Sequence, residues 1–497
     1  MNKLLFKNSD WNDKTLYNIW SAVDKIGQSY GLDYYTPQIE VISSEQMLDA
    51  YCSHALPVLY NHWSFGKRFI KEQESYLSGK SGLAFEVVIN SSPSICYVMD
   101  NNTAPIQALV IAHAAVGHSS FFKTNYLFKD RTDAPYIIQF LKESKAYITE
   151  CENLYGITIV AAYIDACHAL SQNSVDYSVI NGTQKKSDKI ESLKNSIEYE
   201  RLSANELFDR LINKKPKRKY LQLEEPTSNL LQFFEENSPF LEPWQIKISK
   251  IIRYLADYFF PQYLTKVSNE GWATFWHYTI LNDLFDSNQI TEGHMIECLD
   301  LHSSVVYQPG LFKKIDSSGY AIFNKYWSGL NPYALGFNIY QDIRRISTNP
   351  TEEDRQWLPD LIGRPWLENV KTAMANFRDE SFISQYLSPT VARKMKLACF
   401  KPLDESDDHD AHYIITGSTD KDEAFKTLRN SLSKSFNINK FFPLVKVRRF
   451  KESNELEFTY ESMDKRHLDT KSVEKVIQLI SVWFWRNQLI NYDALLH

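Results

Sequence analysis

The sequence predicts an α+β protein: a mainly α-helical N-terminal domain with one β-hairpin over residues 1–390, then a small α+β C-terminal domain over residues 391–497. Three observations predict it. Apolar and aromatic residues recur at helical spacing through most of the first domain. One segment, 83–99, breaks instead into two β-branched runs around a turn. After Ser388-Pro389 the pattern changes to short strand-like runs alternating with two helical ones.

Residues 10–80 read as helices, with Leu16, Ile19, Trp20, Val23 and Ile26 on one face. Leu83 to Ile89 and Ser94 to Met99 are the arms of the hairpin, and Asn90-Ser91-Ser92-Pro93 is its turn. Thr103 is placed to cap a helix whose apolar run extends from Ile106 through Val116. Residues 133–175 read as one or two further helices starting near Asp133. Residues 176–226 are polar and lysine-rich, a surface excursion with a short helix around 204–212. A strong amphipathic helix opens at Pro243 and should end or kink at Pro261. Helices follow over 269–300, 335–345 and 366–377. In the C-terminal domain, 412–416 is a strand, 422–436 a helix, 443–450 and 455–461 paired strands, and 473–489 a closing helix.

Composition narrows the function classes. Aromatics make up 14% of the 497 residues, enough to fill a large core. The net charge of −6 offers no basic field for nucleic acid. The one basic run, Lys214 to Lys219, has no interleaved aromatics and reads as a solvated loop. The six cysteines are scattered without a CxxC pair, which fits a reducing compartment. Met1 to Trp20 lacks the uninterrupted apolar core of a signal peptide, and no run is long and apolar enough to span a bilayer. The expectation is a cytoplasmic protein without a membrane span. No Walker A, dinucleotide or kinase motif appears, so no nucleotide cofactor is expected.

Three groups of residues carry candidate chemistry. The first is His113 and His118 on the helix after the hairpin. A spacing of five misses the shared face of an α-helix, but a local bulge at Gly117 would bring the two rings together. The second is Glu270, at the start of an aromatic helix, with His277 two turns later. The third is Asp165 and His168, three residues apart, with Glu152 upstream. Imidazoles and a carboxylate are the usual ligands of a catalytic zinc. Thermolysin-like proteases also run from a strand to a two-histidine helix to a later glutamate helix, so a zincin-like arrangement is expected. In that reading His113, His118 and Glu270 bind one zinc, with Asp165 and His168 as alternative or outer ligands. Glu86 or Glu152 is the base, and His277 or His168 orients a ligand or donates to an oxyanion. The pattern departs from HExxH: the spacing is one too long, and Ala114 stands where the general base would be. Iron is the alternative metal, since Asp165-x-x-His168 loosely matches half of a di-iron carboxylate motif. A structural polar network is the other reading of the same residues. Cys151 and Cys167 read as buried structural thiols rather than nucleophiles.

At these motifs the chain resembles the stage V sporulation protein R (SpoVR) family. The resemblance rests on Asn61-His62-Trp63-Ser64-Phe65-Gly66-Lys67, Gly82 to Asn90, Val110 to His118 with Asn125 to Phe128, and Asp165-Ala166-Cys167-His168. It continues through Leu241-Glu242-Pro243-Trp244, Asn269 to Thr274, Asn331 to Phe337, Arg378 to Phe382 and Leu387-Ser388-Pro389. Ser119 departs from it, standing where Asn is expected after Gly-His. The resemblance implies a link to spore cortex peptidoglycan or to stress and stationary-phase physiology. It also implies a serine protein kinase and an accompanying protein as partners. It carries no reaction, so a non-enzymatic regulatory or assembly role stands beside the hydrolase reading.

Overall fold

The computed structural model describes residues 4–52, 56, 58–77, 86–175, 228–315, 320–402, 413–417, 422–437, 444–450, 455–461, 469–485 and 490–493. It is mainly helical with small sheets, as an α+β reading expects. The excursion at 176–226 and its short helix lie outside the described residues. The chain packs as two compact units. The first comprises Met1–Ala55, Phe69–Asp130 and Gln262–Asn437; the second comprises Leu56–Arg68, Arg131–Pro261 and Ile438–His497. Residue 390, where the sequence pattern changes, falls inside the first unit.

The first unit is built around the apolar helix expected after the hairpin. Thr103 caps it by accepting the Ile106 N–H, Pro105 occupies its first turn, and every residue from Ala104 to His118 is buried. Beside it lies a three-stranded sheet of β1 (Pro37–Ile42), β2 (Glu86–Ile89) and β3 (Ser94–Met99). The hairpin β2–β3 is antiparallel as predicted. β1 corrects the reading of 10–80 as all helix: it pairs in parallel with β3 from Pro37↔Ser94 to Ile42↔Met99. PQIEVI is short and half-polar, and its strand state depends on an edge of β3 that local sequence does not announce.

Two helices complete the core, Lys266–Asp286 and Pro332–Thr348. They approach unusually closely. A Cβ on Gly271 would lie 2.3 Å from Gly336 Cα, and one on Gly336 would lie 2.1 Å from the Val267 carbonyl. A Cβ on Gly117 would lie 2.6 Å from Ala273 Cα. Glycine at these positions lets three backbones touch, and so draws their side chains to one point. Trp272, Phe275, Trp276 and Tyr340 fill the remaining space. Each such buried aromatic contributes roughly 2–3 kcal/mol relative to exposure.

The rest of the first unit holds a four-stranded sheet, ordered β4-β5-β7-β6, from β4 (Phe312–Ile315), β5 (Tyr320–Phe323), β6 (Cys399–Pro402) and β7 (Tyr413–Gly417). Only β7 was expected. Pro261 does not end its helix, which runs from Pro243 to Leu264. In the second unit β8 (Leu444–Phe450) pairs antiparallel with β9 (Glu455–Glu461), as expected, and β10 (Ile490–Asp493) adds in parallel to β9. Its core gathers Tyr163, Phe234, Trp244, Phe484 and Trp485 around helix Ile157–Ser171.

Candidate functional site

The five-residue spacing of His113 and His118 is resolved by the backbone. Residues Ala112–His118 form a π-helix inserted between the α-helical turns Ala104–Ile111 and Ser119–Thr124. A π turn bonds i to i+5, so residues five apart stack on one face. The two imidazoles meet edge to face with centroids 4.7 Å apart. The bulge anticipated at Gly117 is therefore a whole π turn, pressed against the Glu270 helix through the missing Cβ.

Each ring is held by its Nδ1. His118 Nδ1 lies 2.9 Å from Asn269 Oδ1, and an amide oxygen only accepts, so the proton sits on Nδ1. His113 Nδ1 lies 2.9 Å from His277 Nδ1, and His277 Nε2 lies 2.8 Å from His302 Nδ1. The Ala273 carbonyl also accepts from His113. Two tautomer sets satisfy this chain: His113 donates to His277 and His277 to His302, or His302 donates to His277 and His277 to His113. In the first set His113 Nε2 is an acceptor turned toward Glu270; in the second it carries a proton toward the carboxylates. His118 Nε2 is 3.4 Å and His113 Nε2 3.9 Å from Glu270 Oε2, while Glu86 Oε1 is 3.8 Å from His113 Nε2. Glu270 Oε2 is buried, and its nearest polar neighbour is the His118 ring, which pairs with it. A carboxylate buried among imidazoles needs positive charge beside it, from a ring proton or from a cation.

The protonation equilibria follow from that geometry. Burial, then the neighbouring imidazoles His118 and His277, holds His113 well below the usual histidine range. Burial also holds His277 well below it and pushes His302 down to about 4. Burial works against charge on His118 too, but Glu270, Asn269 and Glu86 outweigh it and the net shift is upward. Glu86, at the start of β2, is pushed up to about 7 by burial; His118 opposes the shift and Glu270 adds to it.

The Glu270 helix is anchored from a distance. The buried Asp379 carboxylate accepts the backbone N–H groups of Val267 and Ser268, both at 2.8 Å, and the Ser268 hydroxyl at 3.0 Å. It thereby closes the positive end of the helix one turn before Glu270.

A model of the SpoVR-like protein family matches residues 10–441. The chain belongs to the SpoVR-like family. It is 44% identical over 456 residues to the uncharacterized protein YcgB of Escherichia coli strain K12, covering 90% of this chain and 86% of that protein. No solved structure matches it.

Within this SpoVR-like chain the structure brings together His113, His118, Glu270, Glu86 and His277. The three atoms His113 Nε2, His118 Nε2 and a Glu270 oxygen all lie within 4.8 Å of one another, and among the described residues no other His, Cys, Asp or Glu cluster has ligand spacing. His277 stands behind His113 with both ring nitrogens engaged. Glu152 lies on helix Ile137–Tyr155 of the second unit. Asp165 and His168 lie on helix Ile157–Ser171, with partners of their own: Trp63 and His62 for Asp165, Tyr60 for His168. Sequence reasoning missed three participants. His302 is buried at the end of the imidazole chain, and Tyr333 stacks on His113 at 6.2 Å with an 18° interplanar angle. Asn269 and Tyr333 were noted only as parts of motifs. The place of Asn269 directly before Glu270 was an available signal; His302 gave none. Among the described residues no helix is long and apolar enough to cross a membrane.

Proposed function

We propose that this SpoVR-like protein is a metal-dependent hydrolase of peptide or amide bonds, with one zinc ion held by His113, His118 and Glu270. The observation that carries the reading is the convergence of His113 Nε2 and His118 Nε2 on a buried Glu270 oxygen, with each ring's Nδ1 engaged by another residue. That is the arrangement of metal-ligating histidines, whose second nitrogen donates to an outer partner. The 3.4 and 3.9 Å separations are near the roughly 3.4 Å edge of a tetrahedron with bonds of about 2.1 Å. The order of sheet, two-histidine helix and later glutamate helix supports a zincin-like relation. The same donor set also suits iron(II), which favours two histidines and one carboxylate.

Bound zinc would polarise the scissile carbonyl and lower the pKa of a bound water to about 7. Glu86 takes the role left vacant by Ala114. Its carboxyl titrates near 7, so it accepts the proton of an attacking water and returns it to the leaving amine. His277 and His302 keep the His113 lone pair aimed inward. Tyr333 covers the outer face of the His113 ring.

The test is turnover of a mixed peptide library by zinc-loaded protein, followed by mass spectrometry. Cleavage abolished by chelator and by Glu86→Gln, with metal retained in that variant, is the expected result. No cleavage of any peptide by fully loaded protein would favour the alternative, a non-enzymatic regulatory or assembly partner of a serine protein kinase system.

A further inference from the structure

A second constellation of titratable groups lies wholly in the second unit. Two segments build it: the stretch Tyr60 to Gly66, which enters helix Trp63–Leu77, and helix Ile157–Ser171. His62 is buried, and its two ring nitrogens face different partners. Nδ1 lies 2.7 Å from Ser64 Oγ, and Nε2 lies 3.4 Å from Asp165 Oδ1. The Ser64 backbone N–H also points at Nδ1, at 3.4 Å. Nδ1 is therefore the acceptor and the proton sits on Nε2, which faces the Asp165 carboxylate at ion-pair distance without a hydrogen bond of ordinary geometry. This tautomer makes His62 a base toward the Ser64 hydroxyl.

We propose that Ser64, His62 and Asp165 form a nucleophilic acyl-transfer site acting on carboxylic esters or thioesters. A nucleophile within hydrogen-bond reach of a base, itself oriented by a third group, is the general signature of such sites. Capping a helix explains only half of what is seen. A cap needs one acceptor for the N–H groups of the first turn. It needs no carboxylate on the opposite ring nitrogen and no hydroxyl held by the same acceptor.

The surroundings agree. Burial lowers the His62 pKa more than Asp165 raises it, so the ring is a neutral base at neutral pH. Ser64 stands in the first turn of a 15-residue helix, where the positive end of the dipole favours a developing oxyanion. Among the described residues the first turn is open: Gly66 is exposed, and an added Cβ there would touch no described residue within 4 Å. The Trp63 indole, 57% exposed, donates to Asp165 Oδ2 at 2.9 Å and carries the Lys67 ammonium over its face at 5.9 Å. Behind it, buried Tyr60 bonds His168 Nε2 at 2.5 Å, and the His168 ring packs edge-on against His62 at 5.0 Å. The base is thus held from several sides by groups the hydrolase reading does not use.

The step balances without a cofactor. Ser64 Oγ forms a bond to the carbonyl carbon while its proton passes to His62 Nδ1. Collapse of the tetrahedral adduct breaks the bond to the alcohol or thiol, which leaves with that proton. Water, deprotonated by the same nitrogen, then cleaves the acyl-serine to acid and free Ser64. Ser64 and His62 are the catalytic residues; Asp165 is a positioning residue.

The experiment uses the full-length protein with a fluorophosphonate probe, which phosphonylates activated serines, and peptide mapping of the adduct. The expected result is a single adduct on Ser64 in folded wild type, none after urea denaturation and none in Ser64→Ala. His62→Gln should slow labelling about 100-fold, the scale of general base catalysis. Asp165→Asn should slow it less and move the acidic limb of the labelling rate, where His62 deprotonates, to lower pH, because the carboxylate raises the His62 pKa. A capping role alone would change the melting temperature and leave that limb in place. Wild-type protein that gives no Ser64 adduct, or labels equally well when denatured, overturns the proposal even if a variant fails to fold.

Discussion

The two units each gather histidines around a carboxylate, yet they use imidazole in opposite ways. In the first unit both Nδ1 atoms of the His113–His118 pair are tied back into the fold, and both Nε2 atoms converge on a buried carboxylate oxygen. In the second unit one ring is bonded to a hydroxyl through Nδ1 and faces a carboxylate at ion-pair distance through Nε2. Residue types alone do not separate a ligand cluster from a proton-transfer site; the hydrogen bond on the far side of the ring does.

Changes that move backbones should separate the units most. Gly271→Ala places a methyl 2.3 Å from the Gly336 backbone. Overpacking of this kind costs about 1–3 kcal/mol or more, seen as a fall in melting temperature of several degrees together with lost metal binding. Probe labelling at Ser64 should survive at temperatures below the new melting point. An unchanged melting temperature would mean that the helices do not meet as described.

Next in size are the rings behind the site. His277→Gln should weaken metal binding roughly 10- to 100-fold without preventing folding, and His302→Gln should weaken it less, since it acts one ring further away. Metal titration of both variants checks the order. Equal affinity in all three proteins would remove the imidazole chain from the account. Asp379→Asn should be milder. Burial pushes Asp379 up to about 7, and its two oxygens each accept a backbone N–H; Asn keeps one acceptor and turns a donor toward the other N–H, for a loss of about 1–3 kcal/mol and a lower melting temperature.

The smallest effect belongs to a carboxylate that is structurally satisfied. Arg345 binds Asp354 through two bonds of 2.7 and 2.8 Å, and Thr351 adds its N–H and hydroxyl. Burial alone would raise this carboxyl, but the Arg345 and Thr351 bonds hold it at about 2, below its ordinary 3.8. A carboxyl depressed in the folded state contributes stability above its unfolded pKa and loses it as pH falls through the folded value. The contribution should disappear between about pH 4 and pH 2, and Asp354→Asn should flatten that part of the stability curve while leaving metal content and Ser64 labelling unchanged. A variant curve as steep as the wild type in that window would contradict the assignment.

Much of this was legible where the signal was local. The hairpin, the Thr103 cap and the paired strands 444–450 and 455–461 each follow from a few adjacent residues. The π turn was half-legible: spacing five was incompatible with an α-helical face, and Gly117 marked where the helix would yield. What stayed hidden depends on distant partners. β1 needs the edge of β3, and the four-stranded sheet needs β4 and β5 to find β7 across a long stretch of chain. His302 sits on an ordinary capped helix, and nothing near it in sequence says that its ring meets His277. His62 and Asp165 are separated in the same way, so their pairing is visible only in the fold.

The most direct test of the central claim is the metal content of purified, tag-free protein by plasma mass spectrometry, beside His113→Ala and Glu270→Ala. The account predicts about one zinc or iron per wild-type chain, lost in both variants while circular dichroism and Ser64 labelling persist. Wild-type protein that takes up no metal when offered zinc or iron, with both variants merely less stable, would contradict it and make the His113–His118–Glu270 cluster a structural network.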